Sequence, residues 1–136
     1  MTLVIDASVI VAALVDDGPE GRWAEALVAD NALAAPHLLP VEVAHVLRRA
    51  SRAGDLSADT ASLAHRELVA LRVELFAYEQ LEERIWGLRT TVTPYDAWYV
   101  ALAERLDARL ATLDRRLCRA SGPRCPFLLP DPSPGG

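Results

Sequence analysis

The sequence predicts an α/β fold: a mostly parallel sheet covered on both faces by helices. Three observations carry this. Short apolar, β-prone runs such as Leu3-Val4-Ile5 and Val73–Phe76 recur along the chain. Segments with helical spacing of apolar residues separate them, and that alternation is the mark of a parallel sheet. The length of 136 residues fits one domain with a core of its own.

In order, residues 2–6 read as a buried strand, short and continuous. Ser8 to Val15 reads as a helix stopped by Asp16-Asp17-Gly18-Pro19. Glu20 to Asp30 carries Trp23, Ala24, Leu27 and Val28 at helical spacing. Ala32 to Ala35 suits a short strand closed by Pro36. Pro40 to Ala53 is a helix with Val43, Val46, Leu47 and Ala50 on its apolar stripe and Gly54 as its stop. Ser57 to Leu71 is a helix entered through a Ser57 cap. Val73 to Phe76 is a strand, and Glu79 to Arg89 an amphipathic helix. Thr93-Pro94 opens a helix to about Asp107, with a capping residue followed by proline at the first position. Arg109 to Thr112 is a strand, Asp114 to Ala120 a short helix, and Phe127 to Leu129 a last strand. The domain is expected to span residues 1–129, with Pro130 to Gly136 as a frayed tail. No internal repeat is visible.

Composition narrows the classes. Hydrophobic residues make up 51%, too many for a disordered chain. Asp6, Asp16 and Asp17 interrupt the only long apolar stretch, which argues against a membrane span. The start lacks a basic region and would carry Asp6 inside the apolar part of a signal peptide, so a cytoplasmic location is expected. Cys118 and Cys125 then read as reduced thiols. The net charge of −5 speaks against a nucleic-acid binder. The distribution softens that objection. All fourteen basic residues are Arg, and several cluster, as Arg48, Arg49 and Arg52 and as Arg115, Arg116 and Arg119. Arginine grips phosphate with a planar fork. A solvated helix face explains the clusters equally well.

Four acids sit against apolar segments: Asp6 after Leu3-Val4-Ile5, Glu42 in Pro40-Val41-Glu42-Val43, Asp96 in Pro94-Tyr95-Asp96-Ala97-Trp98, and Asp114 after Leu110-Ala111-Thr112-Leu113. A carboxylate there is costly to bury without a partner. Taken singly, each also fits a helix N-terminus: Asp6 and Asp114 as N-caps, and Asp96 as the third-residue acid of a capping box opened by Thr93. Asp6 and Asp114 follow the ends of strands, where open parallel sheets bind ligands. Four carboxylates in one cleft cannot all ionise unassisted. Mg²⁺ or Mn²⁺, hard cations that prefer oxygen, are the natural partners. A pair of such ions ~4 Å apart activates water and steadies the leaving oxygen of a phosphodiester. Two would add +4 and bring the formal charge of −5 to −1.

Val4-Ile5-Asp6-Ala7-Ser8 resembles the opening of PIN-domain nucleases. Leu38–Arg49, with Glu42, resembles their second acidic motif. Tyr95–Ala103, with Asp96, resembles the third, and Leu110–Asp114 the fourth. Order, spacing and length are similar to the VapC toxins of bacterial toxin–antitoxin pairs. The resemblance covers residues 2–129 and implies a three-layer α/β/α sandwich with a central, mostly parallel sheet. It also implies a Mg²⁺-dependent endoribonuclease, with Mn²⁺ as a substitute ion. Asp6, Glu42, Asp96 and Asp114 would hold the metal, and the Ser8 and Thr112 hydroxyls would support it. RNA phosphates are expected against Arg48, Arg49, Arg115 and Arg116. The implied partners are an RNA substrate, a small antitoxin and a second copy of the chain.

Other readings compete. Glu42-Val43-Ala44-His45 has the Glu-x-x-His spacing of di-iron bundles, but a second such pair is missing. An aspartate-nucleophile phosphatase would use Asp6, yet such enzymes present a second Asp where Ser8 stands. A catalytically inactive antitoxin- or RNA-binding domain would be expected to lack an acid, and none is missing. Trp86, Trp98 and Tyr99 suit either base stacking or core and dimer contacts.

Overall fold

In the computed structural model, which describes residues 1–132, five strands form one parallel sheet. They are β1 (Thr2–Ile5), β2 (Ala32–Pro36), β3 (Val73–Phe76), β4 (Arg109–Ala111) and β5 (Phe127–Leu128). Their order is β3-β2-β1-β4-β5, and every pairing is parallel. The seven helices are α1 (Ala7–Val15), α2 (Pro19–Asp30), α3 (Leu39–Ala53), α4 (Ala58–Ala70), α5 (Glu82–Gly87), α6 (Pro94–Leu106) and α7 (Arg115–Arg119).

The strand order explains the layers. The chain steps from β1 to β2 to β3 in one direction, then returns past β1 to β4. Parallel crossovers are right-handed, so reversing direction moves the helices to the opposite face. Accordingly α1 gathers α2, α3 and α4, while α6 lies against β1, β2 and β4 with α5 beside it. This is the α/β/α arrangement expected from the sequence.

The core follows the apolar runs. Val4, Ile5, Val9, Ile10, Val43, Val100, Leu102 and Leu110 are all buried completely. Gly21 marks where α2 meets the end of α1: a Cβ there would stand 1.8 Å from the Asp16 carbonyl oxygen. Only glycine allows that approach. Gly54 ends α3 in the left-handed conformation at φ 84°, as the stop signal predicted.

Two expectations are corrected. The helix predicted over Glu79–Arg89 is broken into a 3₁₀ turn at Tyr78–Gln80 and the short α5. The break falls at Leu81, whose non-helical backbone (φ −126°, ψ 4°) puts its side chain into the core. On α3, Val43 and Leu47 are buried but Val46 is 42% exposed, so the apolar stripe is narrower than its sequence suggested. Of the predicted tail, Pro130 is tied by Arg115, whose Nη2 donates to its carbonyl at 3.1 Å; Ser133 to Gly136 lie outside the described residues. Cys118 and Cys125 are both free thiols. No helix among the described residues is long and apolar enough to cross a membrane.

Candidate active site

The strand order reverses between β1 and β4, and at such a point open parallel sheets bind ligands outside the carboxyl ends of their strands. Asp6 follows β1, and Thr112 to Asp114 follow β4. The Asp6 N–H donates to the Ala111 carbonyl at 3.0 Å, so the two strand ends are locked side by side.

Asp6 occupies the N-cap position of α1 but does not cap it. Its Oδ2 instead accepts two hydroxyls, Ser8 Oγ and Thr112 Oγ1, each at 2.8 Å. Both hydroxyls are themselves oriented by backbone. Ser8 Oγ accepts the Leu113 N–H at 3.1 Å, and Thr112 Oγ1 accepts the Asp114 N–H at 3.0 Å. A hydroxyl that accepts from an amide has its proton left for the carboxylate. Thr112 is fully buried, so this chain of bonds is fixed from beneath. The N-cap reading of Asp6 is thereby corrected.

The other acids arrive differently. Glu42 stands in the first turn of α3, and its Oε1 accepts the Tyr99 hydroxyl at 2.6 Å. Asp96 stands in the first turn of α6. Thr93 Oγ1 accepts the Asp96 N–H at 3.3 Å, but among the described residues the Asp96 side chain makes no return bond, so the capping box is half made. Asp114 is a genuine N-cap of α7, its Oδ1 accepting from Arg116 N–H at 3.0 Å and Leu117 N–H at 3.2 Å.

The four acids lie close enough for their charges to act on one another. Burial pushes the Asp6 carboxyl above its usual range, outweighing the two hydroxyls, and the charge of Asp114 adds to the rise. Glu42 is raised by burial and then by Asp6 and Asp96, against the Tyr99 hydrogen bond. Asp96 is raised to about 6 by burial and by the charges of Asp6 and Asp114, against the Thr93 side chain and then Arg116. None of the four acids has an ion-pair partner within 4.0 Å among the described residues, where Arg84–Glu104 is the sole salt bridge. The donor set is therefore four hard oxygen ligands with a charge deficit. As they stand, no three acidic, His or Cys side chains among the described residues are placed to hold a metal ion together. A hydrated Mg²⁺ needs only one or two direct carboxylates and keeps its waters, so the set fits such an ion.

The four arginines separate. Arg116 reaches the field of Asp96. Arg49 is exposed and lies two helical turns beyond Glu42, on the same face and roughly 10 Å further along α3. Arg48 faces elsewhere, lining the groove between α3 and α4 with Arg52 and His65. Arg115 is engaged by the Pro130 carbonyl. His45 is exposed. Tyr99 is buried, at 1% exposure, which removes it from base stacking. Trp98 packs edge-on against Tyr78 with ring centroids 5.5 Å apart, whereas Trp86 is exposed beneath Arg89. The Tyr99 contact is the feature that sequence reasoning missed. Its one signal is the spacing Asp96–Tyr99, which puts both side chains on one face of α6.

The model of the PIN domain matches residues 3–123, a span that holds all four acids. The chain belongs to the PIN-domain family. It is 40% identical over 125 residues to a VapC ribonuclease of Mycobacterium bovis, covering 92% of this chain and 95% of that one. It is also 40% identical over 127 residues to ribonuclease VapC1 of Mycobacterium tuberculosis, covering 93% and 96%. Among solved structures, VapBC2 of Rickettsia felis bound to a promoter DNA fragment superposes with a TM-score of 0.67 at 15% identity, covering 96% of this chain and all of that one. The sarcin–ricin-loop-cleaving toxin VapC20 of Mycobacterium tuberculosis gives 0.66 at 16% identity, covering 86% and 93%. At those identities the structural matches speak for the fold.

Proposed function

We propose that the protein is a divalent-metal-dependent endoribonuclease, the toxin of a cytoplasmic toxin–antitoxin pair. The observation that carries the proposal is that Asp6, Glu42, Asp96 and Asp114 lie within reach of one another's charge, with no ion-pair partner among the described residues. The relatives at 40% identity, named as VapC ribonucleases, supply the reaction class.

Asp6 and Asp96 hold the ion, with Glu42 and Asp114 completing the site directly or through water. Mg²⁺ suits the oxygen-only donor set, and Mn²⁺ substitutes for it. When bound, the ion lowers the pKa of a water and offsets negative charge on the phosphodiester. The chain's own residues do the rest. Ser8 and Thr112 keep one oxygen of Asp6 occupied and so restrain the carboxylate. Arg49 and Arg116, at the rim, hold RNA phosphates on either side of the scissile bond. Arg48 and Arg115 contribute less, one facing the α3–α4 groove and the other already engaged. A small antitoxin that covers the acidic crevice, and a second copy of the chain, complete the assembly.

The phosphatase reading is weakened by Ser8, whose hydroxyl is committed to Asp6 and stands where a second acid would be needed. The test is direct. Purified protein freed of its antitoxin is expected to cut RNA with Mg²⁺ or Mn²⁺ and to stop on chelation. Absence of cleavage, with hydrolysis of a small phosphate ester instead, would favour the phosphatase.

A further inference from the structure

We infer that Tyr99 is a positioning residue for the metal site, holding Glu42 in the orientation in which it serves a divalent ion. The inference rests on the metal-dependent reading above and adds a residue outside the four acids. Its basis is geometric. Tyr99 Oη donates to Glu42 Oε1 at 2.6 Å across a sequence separation of 57 residues. The phenol is 1% exposed, so no water competes for its proton and the ring has no freedom to swing away. The Glu42 carboxylate has no other hydrogen-bond partner among the described residues, and its flexible side chain rises from the first turn of α3. Free, such a side chain samples several rotamers. The hydrogen bond selects one, satisfies one oxygen and leaves the other for the crevice.

The arrangement also ties two motifs together. Asp96 and Tyr99 stand three residues apart on α6. A single rigid helix thus presents one acid and fixes a second that comes from α3. Partners that orient a metal-binding carboxylate usually matter to metal affinity by 10- to 100-fold. Glu42 repelled by Asp6 and Asp96 would otherwise turn outward, because both charges disfavour its ionised form near them.

Tyr99→Phe removes the hydroxyl and keeps the ring. Mn²⁺ affinity, read by calorimetric titration without RNA, is expected to weaken about 10-fold in Y99F, while the circular dichroism spectrum stays that of the parent. RNA cleavage should return toward the parent rate at high Mn²⁺, a recovery that simple loss of structure would not give. In an E42Q background, adding Y99F should change Mn²⁺ affinity no further, since the two residues act through one interaction. Equal Mn²⁺ affinity in Y99F and the parent overturns the role of Tyr99 alone. A parent that binds no Mn²⁺ overturns the metal reading and this inference with it. If Y99F does not fold, the unsubstituted protein still decides: ¹³Cζ-labelled Tyr99 should shift during a Mg²⁺ titration. An unmoved resonance, with Mg²⁺ binding observed by calorimetry, refutes the inference.

Discussion

Two groups of carboxylates in this molecule meet opposite fates. Glu104, on α6, is gripped by Arg84, with Nε–Oε1 at 2.7 Å and Nη2–Oε2 at 3.2 Å, and it also accepts the Arg124 N–H at 2.8 Å. Burial works against its charge, but these partners prevail and its pKa falls. Asp6, Glu42 and Asp96 lie near the other end of the same helix or across from it. Asp6 and Glu42 accept hydroxyls, none of the three has an ion-pair partner among the described residues, and the pKa of each rises. One group is complete in itself and clamps the Gly122–Arg124 loop, since Arg84 Nη2 also donates to the Gly122 carbonyl at 2.9 Å. The other has no counter-charge of its own among the described residues. The difference teaches that burial of an acid says little about its role until its partner is known.

The contrast can be broken at either end. The largest effect is expected from Asp6→Asn or Asp96→Asn, which should lower Mg²⁺-dependent RNA cleavage by at least about 100-fold with the fold intact; cleavage retained by both would overturn the site assignment. Next comes Arg84→Ala. It leaves Glu104 partly buried without its fork and should destabilise the protein by about 1–2 kcal/mol in urea unfolding, with Mn²⁺ affinity unchanged. A change in affinity would mean that the two groups are coupled.

Asp96→Asn also sharpens the comparison by its pH dependence in chelator. The folded pKa of about 6 stands above the ordinary 3.8, so the folded state holds the Asp96 proton more tightly than the unfolded chain does. Its charge therefore opposes folding above about pH 6, and the opposition fades as pH falls toward 4. The variant should be more stable than the parent at pH 7.5 by about 1 kcal/mol, allowing for partial exposure, and equal to it near pH 4. No gain at pH 7.5 would mean that the acid is already neutralised. The smallest effect belongs to the rim. Arg49→Gln or Arg116→Gln should raise KM a few-fold and reduce the salt dependence of RNA binding by roughly one phosphate's worth. Arg48→Gln should do less in both assays; equal losses would undo the separation of Arg48 from Arg49.

The sequence by itself determined the order of strands and helices, because the apolar runs, the stop signals at Gly18-Pro19 and Gly54 and the start signal at Thr93-Pro94 are local features. It also marked Asp6, Glu42, Asp96 and Asp114, because charge beside a core-forming run is visible without coordinates. It did not reveal that Leu81 breaks the α5 segment, since that break depends on which side chain the core accepts. Nor could it tell caps from site residues. Asp6 and Asp114 have the same local context, a strand end before a helix, yet Asp114 caps and Asp6 does not. Only the tertiary structure decided that, by bringing Thr112 from β4 to Asp6 and leaving Asp114 near the amides of its own helix. The same holds for Tyr99, an aromatic residue among core residues until α6 sets it against Glu42. Local patterns are fixed by near neighbours in the chain, whereas a carboxylate's partner is chosen by the packing of strands and helices far apart in sequence.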